Sequence, residues 1–439
     1  MYFVYQFLKI IVQLGFYTYY QKRTVVNRKV LRLKGPAIVV SNHPCTLMDP
    51  LNVGVWAREQ FYFLANAGLF KSKFGNWFFN TFYCIPIERL QDTGGKPVNN
   101  AANFARCDAH MVKGGTLYIA PEGDSWMRRH LQKLKTGTVR IAFNSEQQHD
   151  YQLDLKIIPV GLTYSAPTAF RSNVFINVGE PLYVRDFREA YETNALEAVK
   201  SVTVVLQEQL RTLMVDTADD AEDLFITQLE AILQNNQPLK PEAEFHRTKQ
   251  LIVAIRAWQA KNPVHFAEFQ AQVKAYFQQL QQYKISDEAV AHSPDKSLII
   301  KLLFLILGLP VFCYGFVHHF FPAFVPFLLA WFLVKQAGLY IGYTSTVKFA
   351  VGVITVPLFY WLQSELIAHW FSTELSWWYL LTLPLAGLFA WEYWIFAKKT
   401  LRFFRFNTLK DKQLLKRNRT QLTQEIELIL RAPQSASTV

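Results

Sequence analysis

The chain has 439 residues, 51% of them apolar and 15% aromatic, too long for one ordinary core and too apolar for two plain soluble domains. Part of that apolar material is expected to face lipid. A formal net charge of +12 calls for anionic partners, and at this hydrophobicity a membrane surface or phosphorylated substrates fit better than nucleic acid. Cys45, Cys84, Cys107 and Cys313 have no CxxC or metal-ligand spacing, so free thiols in a reducing compartment are expected, with neither a disulfide framework nor a metal site.

Residues 1–24 are apolar and aromatic but interrupted by Gln6, Lys9 and Gln13, and no small-residue cleavage site follows. Their tyrosines, with Lys22 and Arg23, suit a helix in the membrane interface. Arg28, Lys29, Arg32 and Lys34 extend the basic stretch toward anionic headgroups. From 25 to 215, short β-rich runs (37–41, 82–87, 116–120, 156–163 and 173–178) alternate with longer helix-like stretches. That alternation predicts an α/β domain with a mixed, mainly parallel sheet flanked by helices. Residues 216–296 turn to Ala, Glu, Gln, Leu and Lys with helical spacing and read as a soluble helical extension.

Residues 297–400 then read as a C-terminal bundle of transmembrane helices, with candidate segments 297–321, 322–334, 349–371 and 376–397. Pro310, Pro322 and Pro326 inside 297–334 suit one full span followed by a shorter, broken return segment, a hairpin that only re-enters being the alternative. If the four segments cross alternately, Lys296, Lys301, Lys335, Lys348, Lys398, Lys399, Arg402 and Arg405 fall on one side. The positive-inside rule then puts the α/β domain, the extension and a tail of residues 401–439 in the cytoplasm. The expected location is an integral membrane protein with its catalytic domain on the cytoplasmic face, at the inner membrane if the source is bacterial.

Polar groups just past strand ends sit at the rim of a rigid sheet, where sites form. In SNHPCTLMDP (41–50), His43 follows an apolar strand and Asp49 follows His43 within reach of a tight turn. Alone, His43 reads as a capped core histidine. With a carboxylate on one ring nitrogen, the other nitrogen can take a proton from a hydroxyl. The pair suits direct activation of a substrate alcohol, with Cys45 as the nearby candidate nucleophile. In FYCIPIERL (82–90), Arg89 ends another apolar run, where a guanidinium is a preferred bidentate partner for phosphate. In LYIAPEGDSW (117–126), a third strand delivers Glu122 and Gly123 into a turn that either receives an anion or is an ordinary turn with a solvated glutamate. LKIIPVGLTY (155–164) reads as a structural strand lining a pocket.

In this order the four segments resemble the glycerolipid acyltransferase family of the 1-acylglycerol-3-phosphate and glycerol-3-phosphate acyltransferase type. That family carries His-x4-Asp, an arginine-ending strand, Pro-Glu-Gly and a proline-containing apolar strand. The resemblance covers about residues 25–215. It implies transfer of a fatty acyl group from acyl-CoA or an acyl-carrier protein, as donor substrates rather than cofactors, to a hydroxyl of lysophosphatidate or glycerol 3-phosphate. It also implies that His43 is the general base and Asp49 its orienter, and that Asn42, Arg89, Glu122 and Gly123 serve the acceptor site. Membrane phospholipids are the implied surroundings, and no metal is called for. Two departures stand out. Five residues, not four, separate His43 from Asp49, and PEGDSW replaces the common PEGTRS. Arg128, Arg129, Lys133 and Lys135 are the candidates to replace the missing arginine. A CoA-independent lysophospholipid transacylase and a catalytically silent lipid-binding scaffold are the alternative readings.

Overall fold

The computed structural model describes residues 2–89, 94, 98–292 and 297–431. Lys296 and the end of the C-terminal tail, 432–439, lie outside the described residues. Two compact units divide the chain: Met1–Asp216 with Ala330–Phe349, and Thr217–Leu329 with Ala350–Val439.

The first unit is built on a mixed sheet. Its strands are β1 (Lys22–Val26), β2 (Ala37–Ser41), β3 (Phe61–Asn66), β4 (Cys84–Ile87), β5 (Thr116–Ile119), β6 (Lys156–Tyr164), β7 (Asn173–Val178) and β8 (Leu182–Tyr183). The order is β1-β7-β6-β2-β5-β3-β4, with β8 on β6. Strands β6, β2, β5, β3 and β4 run parallel, whereas β7 and β8 pair antiparallel with β6. Strand β2 is buried along its whole length, as expected of a strand covered on both faces. Helices α2 (Met48–Gly54), α3 (Lys73–Thr81), α4 (Ala101–Met111), α5 (Gly137–Gln148), α6 (Arg188–Thr193) and α7 (Ala195–Leu213) complete the layers. Ile38, Val40, Leu117, Ile157, Phe143 and Leu206 share the main core with Met111 and Val199. The strand predicted at 82–87 is observed from Cys84, while β1 and β3 had no strand prediction.

Helix α1 (Tyr2–Tyr19) has two faces. Tyr5, Phe16 and Tyr19 are buried, and Lys9 donates to the Ala57 carbonyl. Phe3, Phe7, Ile10, Leu14 and Tyr17 form an exposed apolar stripe. One of the basic residues assigned to headgroups is placed otherwise. Arg23 lies in β1 with its guanidinium over the rings of Phe16 and Trp56, 4.6 and 5.1 Å from their centroids. Burial lowers its pKa to about 10, and a cation held on two aromatic faces is partnered by them rather than by lipid.

The second unit contains α8 (Asp220–Asn236), α9 (Pro241–Lys261), α10 (Pro263–Gln282), α11 (Asp287–Ala291) and α15 (Lys412–Arg431). At their centre, Asp287 receives Arg419 Nε at 2.9 Å and Nη2 at 3.1 Å, the Tyr276 hydroxyl at 2.6 Å and Asn235 Nδ2 at 2.9 Å. Residues 412–431, read from sequence as part of a tail, therefore form a packed helix.

Among the described residues, three helices are long and apolar enough to cross a membrane: α12 (Leu298–Lys335), α13 (Tyr343–Trp370) and α14 (Thr373–Thr408). Two features depart from the sequence expectation. Helix α12 continues through Pro310, Pro322 and Pro326 as one element of 38 residues, about 57 Å at 1.5 Å per residue. In hydrocarbon, a break would strand backbone groups that a continuing helix satisfies, which is why proline is tolerated inside such helices. Secondly, residues 330–349, assigned from sequence to the membrane domain, belong to the α/β unit.

The Asp287–Arg419 pair is buried, with side-chain exposures of 3% and 9%, so breaking it leaves an uncompensated charge. Arg419→Met is expected to destabilise the detergent-solubilised protein by about 3–5 kcal/mol, and Asp287→Leu with Arg419→Met to recover most of that loss. Denaturant or thermal unfolding of the two variants checks both; equal losses would sink the account.

Candidate active site

Because β2, β4 and β5 are parallel, their C-terminal ends open at one edge of the sheet, and the residues that follow them carry the candidate chemistry. Strand β2 delivers Asn42 and His43, β4 delivers Arg89, and β5 delivers Glu122 and Gly123.

The His43 Nδ1 atom lies 3.0 Å from Asp49 Oδ2. The contact meets the distance of an ion pair without the angle of a hydrogen bond, and Nδ1 has no other polar partner among the described residues. Asp49 is therefore the polar group set against this nitrogen. With Nδ1 buried and the side chain 20% exposed, the accessible edge of the imidazole is the Nε2 side. Asp49, in the first turn of α2, is wholly buried. Its Oδ2 also accepts the Cys45 N–H at 2.7 Å, and its Oδ1 accepts the Tyr164 hydroxyl at 2.7 Å. The extra residue between His43 and Asp49 is taken up at Thr46, which is buried with φ +47°, a left-handed conformation that β-branched residues rarely adopt.

The backbone of His43 is gripped by the loop after β5. Its N–H donates to Glu122 Oε1 at 2.8 Å, and its carbonyl accepts the Ser125 hydroxyl at 2.8 Å and the Trp126 N–H at 3.0 Å. The other Glu122 oxygen accepts the Gln132 N–H at 3.0 Å. Glu122 is thus a buried brace rather than a solvated glutamate, and burial pushes its pKa up to about 7 against the opposing pull of these N–H donors. Gly123 has φ +79°, and a Cβ there would meet the Lys135 side chain at 3.2 Å.

Arg89 reaches the same loop, with Nη1 donating to the Gly123 carbonyl and lying 3.8 Å from Asp124 Oδ1. Both lysines considered for this site are exposed; Lys135 lies along Gly123 and donates its backbone N–H to the Pro121 carbonyl at 2.7 Å. Asn42 has a different geometry from the substrate contact expected of it. Its Nδ2 donates to the Leu162 carbonyl at 2.9 Å and its Oδ1 accepts the Leu162 N–H at 2.7 Å, so the buried amide ties β2 to β6. Burial, reinforced by the Asp49 charge, raises the Cys45 thiol well above its ordinary pKa, which keeps it a thiol and a poor nucleophile.

A family model described as Acyltransferase matches residues 22–163, the segment that holds every one of these groups except Tyr164. Residues 22–163 are thus an acyltransferase domain. Among similar proteins, glycerol-3-phosphate O-acyltransferase 1 of Saccharomyces cerevisiae is 27% identical over 202 residues, 44% of this chain and 26% of that protein. Glycerol-3-phosphate O-acyltransferase 2 of the same yeast is 27% identical over 144 residues, 33% of this chain and 19% of that one. An uncharacterized acyltransferase of Schizosaccharomyces pombe is 31% identical over 120 residues, 27% and 18% of the two chains. The chain thus spans about a quarter or less of the length of these relatives. The crystal structure of a 1-acyl-sn-glycerophosphate acyltransferase from Thermotoga maritima aligns with a TM-score of 0.33 and 19% identity, covering 46% of this chain and 79% of that one.

Three acyltransferase-domain residues that hold the site were not singled out from sequence: Ser125, Trp126 and Tyr164. Ser125 and Trp126 lie in the very stretch where PEGDSW departs from PEGTRS, and both bond the His43 carbonyl. Tyr164 ends a strand whose alternation marked it only as structural.

The raised pKa of Glu122 has a stability consequence with a definite sign. A carboxyl that titrates at about 4.5 when unfolded and about 7 when folded binds its proton more tightly in the folded state. Its contribution is full in acid and is lost as pH rises through about 7. Glu122→Gln is expected to flatten the fall in thermal midpoint between about pH 5 and pH 8; an unchanged slope would show that another group is responsible.

Proposed function

We propose that the protein transfers a fatty acyl group from an acyl-CoA or acyl-carrier-protein thioester to a hydroxyl of glycerol 3-phosphate or lysophosphatidate, in phospholipid synthesis. The observation that carries this reading is the fixed imidazole of His43, with Nδ1 against a buried carboxylate and the Nε2 side accessible. His43 Nε2 takes the proton of the acceptor hydroxyl as that oxygen attacks the thioester carbonyl. Collapse of the tetrahedral intermediate forms the ester and expels the thiol, which recovers the proton from the imidazolium. A buried, protonated Cys45 supports transfer without an acyl-enzyme. Arg89, beside Gly123 and Asp124, has the chemistry to bind the acceptor phosphate, and Lys135 adds positive charge along the same loop. Both S. cerevisiae relatives are named for glycerol 3-phosphate, which favours that acceptor.

The membrane supplies the setting. Phe3, Phe7, Ile10, Leu14 and Tyr17 give α1 an outward apolar stripe suited to the lipid interface. Lys335 at the end of α12 and Lys348 in the first turns of α13 belong to the acyltransferase unit, whereas Phe371 and Ser372, between α13 and α14, include no Lys or Arg. By the positive-inside rule this supports a cytoplasmic catalytic domain. A cysteine introduced at Ser372 should then react with an impermeant thiol reagent from outside the cell, and protection there would reverse the orientation.

The decisive assay uses purified protein, labelled acyl-CoA and either acceptor. The wild type is expected to form a new ester, and His43→Ala to lower kcat by about 100- to 10,000-fold. Arg89→Ala is expected to act mainly on the KM for the acceptor. Ester formed only from phospholipid donors would favour a transacylase, and no ester from any donor a lipid-binding scaffold.

A further inference from the structure

The segment joining α12 to α13, residues 336–342, and the first turns of α13 as far as Phe349 belong to the acyltransferase unit. Their contacts fall on the two loops that hold His43. Thr346 Oγ1 lies 2.7 Å from Thr46 Oγ1, which also reaches the Gly342 carbonyl at 3.4 Å, and Thr346 Oγ1 lies 3.5 Å from the Cys45 carbonyl. The Tyr340 hydroxyl accepts the Met127 N–H on the other loop. Close approach is built into the backbone here: a Cβ on Gly342 would lie 3.4 Å from the Pro44 carbonyl oxygen and 2.5 Å from the Tyr340 ring. Lys348 and Ser345 fasten the segment further, donating to the carbonyls of Thr168 and Pro167.

These contacts meet at the strained point of the site. Thr46 holds a left-handed conformation, and it is the residue that lets a five-residue connection bring Asp49 back to His43. Such a conformation persists only where the surroundings over-determine it, and the side-chain partners of Thr46 come from this segment.

We propose that Thr346 is a positioning residue for acyl transfer: by holding the turn at Thr46 it sets the His43–Asp49 geometry, making the α12–α13 connector a working part of the active site. The inference rests on the reading of His43 and Asp49 as base and orienter. Loss of the Thr346 hydroxyl acts on the turn rather than on the acceptor, so it falls on kcat and not on KM.

The test is a double-mutant cycle with a rescue, using the full chain in detergent micelles and whichever of glycerol 3-phosphate or lysophosphatidate the wild type acylates. Thr346→Val is expected to lower kcat about 5- to 10-fold, with the acceptor KM within about twofold, and Thr346→Ser to retain activity. Glycine adopts φ > 0 without strain, so in a Thr46→Gly background the Thr346→Val change is expected to have less than about a twofold effect. Amide hydrogen exchange of residues 44–49 gives a readout that needs no turnover, and it should rise in Thr346→Val. Equal kcat losses in both backgrounds would overturn the proposal, as would unchanged exchange in Thr346→Val. A wild type inactive on both acceptors would instead fail the functional reading, with the exchange measurement still deciding whether the clamp exists.

Discussion

Taking a carboxylate out of water costs more than any single hydrogen bond returns, and Asp49 is taken out completely. It is tolerated because two donors and one close ring nitrogen converge on it: the Cys45 N–H from its own turn, the Tyr164 hydroxyl from the end of β6, and, 3.0 Å away, His43 Nδ1 from the end of β2. The Tyr164 contact requires β2 and β6 to be in register, and their pairing is itself pinned by Asn42 on Leu162. The anion in turn shapes its surroundings. It adds to burial in raising the Cys45 thiol and the Tyr164 phenol, so the nearest alternative nucleophile and the nearest alternative acid are both kept protonated.

Two buried carboxyl groups thus act on one histidine by separate routes. Asp49 addresses the ring, and Glu122 addresses the backbone N–H. Ser125 and Trp126 complete the second route by taking the carbonyl of the same residue. Braced backbone and packed ring together leave the imidazole little freedom, the pre-organisation that the proposed role of general base calls for. The PEGDSW sequence fits this division: aspartate, serine and tryptophan replace the threonine, arginine and serine of the common motif, and two of the three are spent on holding His43.

Strand-end chemistry was legible in the sequence because it is local. Apolar runs ending in His43, Arg89 and Glu122 announce a parallel sheet with polar groups at one edge, and a parallel sheet brings such edges together without further instruction. The contacts that refine the site carry no local signature. Tyr164 is 115 positions from Asp49 and Thr346 is 300 from Thr46, and neither hydroxyl differs in pattern from an ordinary strand or helix residue. Strand β1 was hidden by its opening Lys22 and Arg23, charges that read as headgroup ligands until Phe16 and Trp56 are seen beneath the arginine. The unbroken α12 was hidden by its prolines, whose cost depends on the solvent around the helix.

The spacing between His43 and Asp49 shows why motif length is a weaker constraint than side-chain distance. One additional extended residue adds about 3.3 Å of reach, enough to carry the carboxylate away from a ring it must touch. A left-handed residue removes that reach by turning the chain back, and Thr46 is the residue that does so. Glycine would do the same with less strain, but it would bring no hydroxyl for Thr346 to hold. A threonine at φ > 0 therefore exchanges local backbone comfort for a tether, and the turn stays in place only where the chain returns, some 300 residues later, with a partner for it.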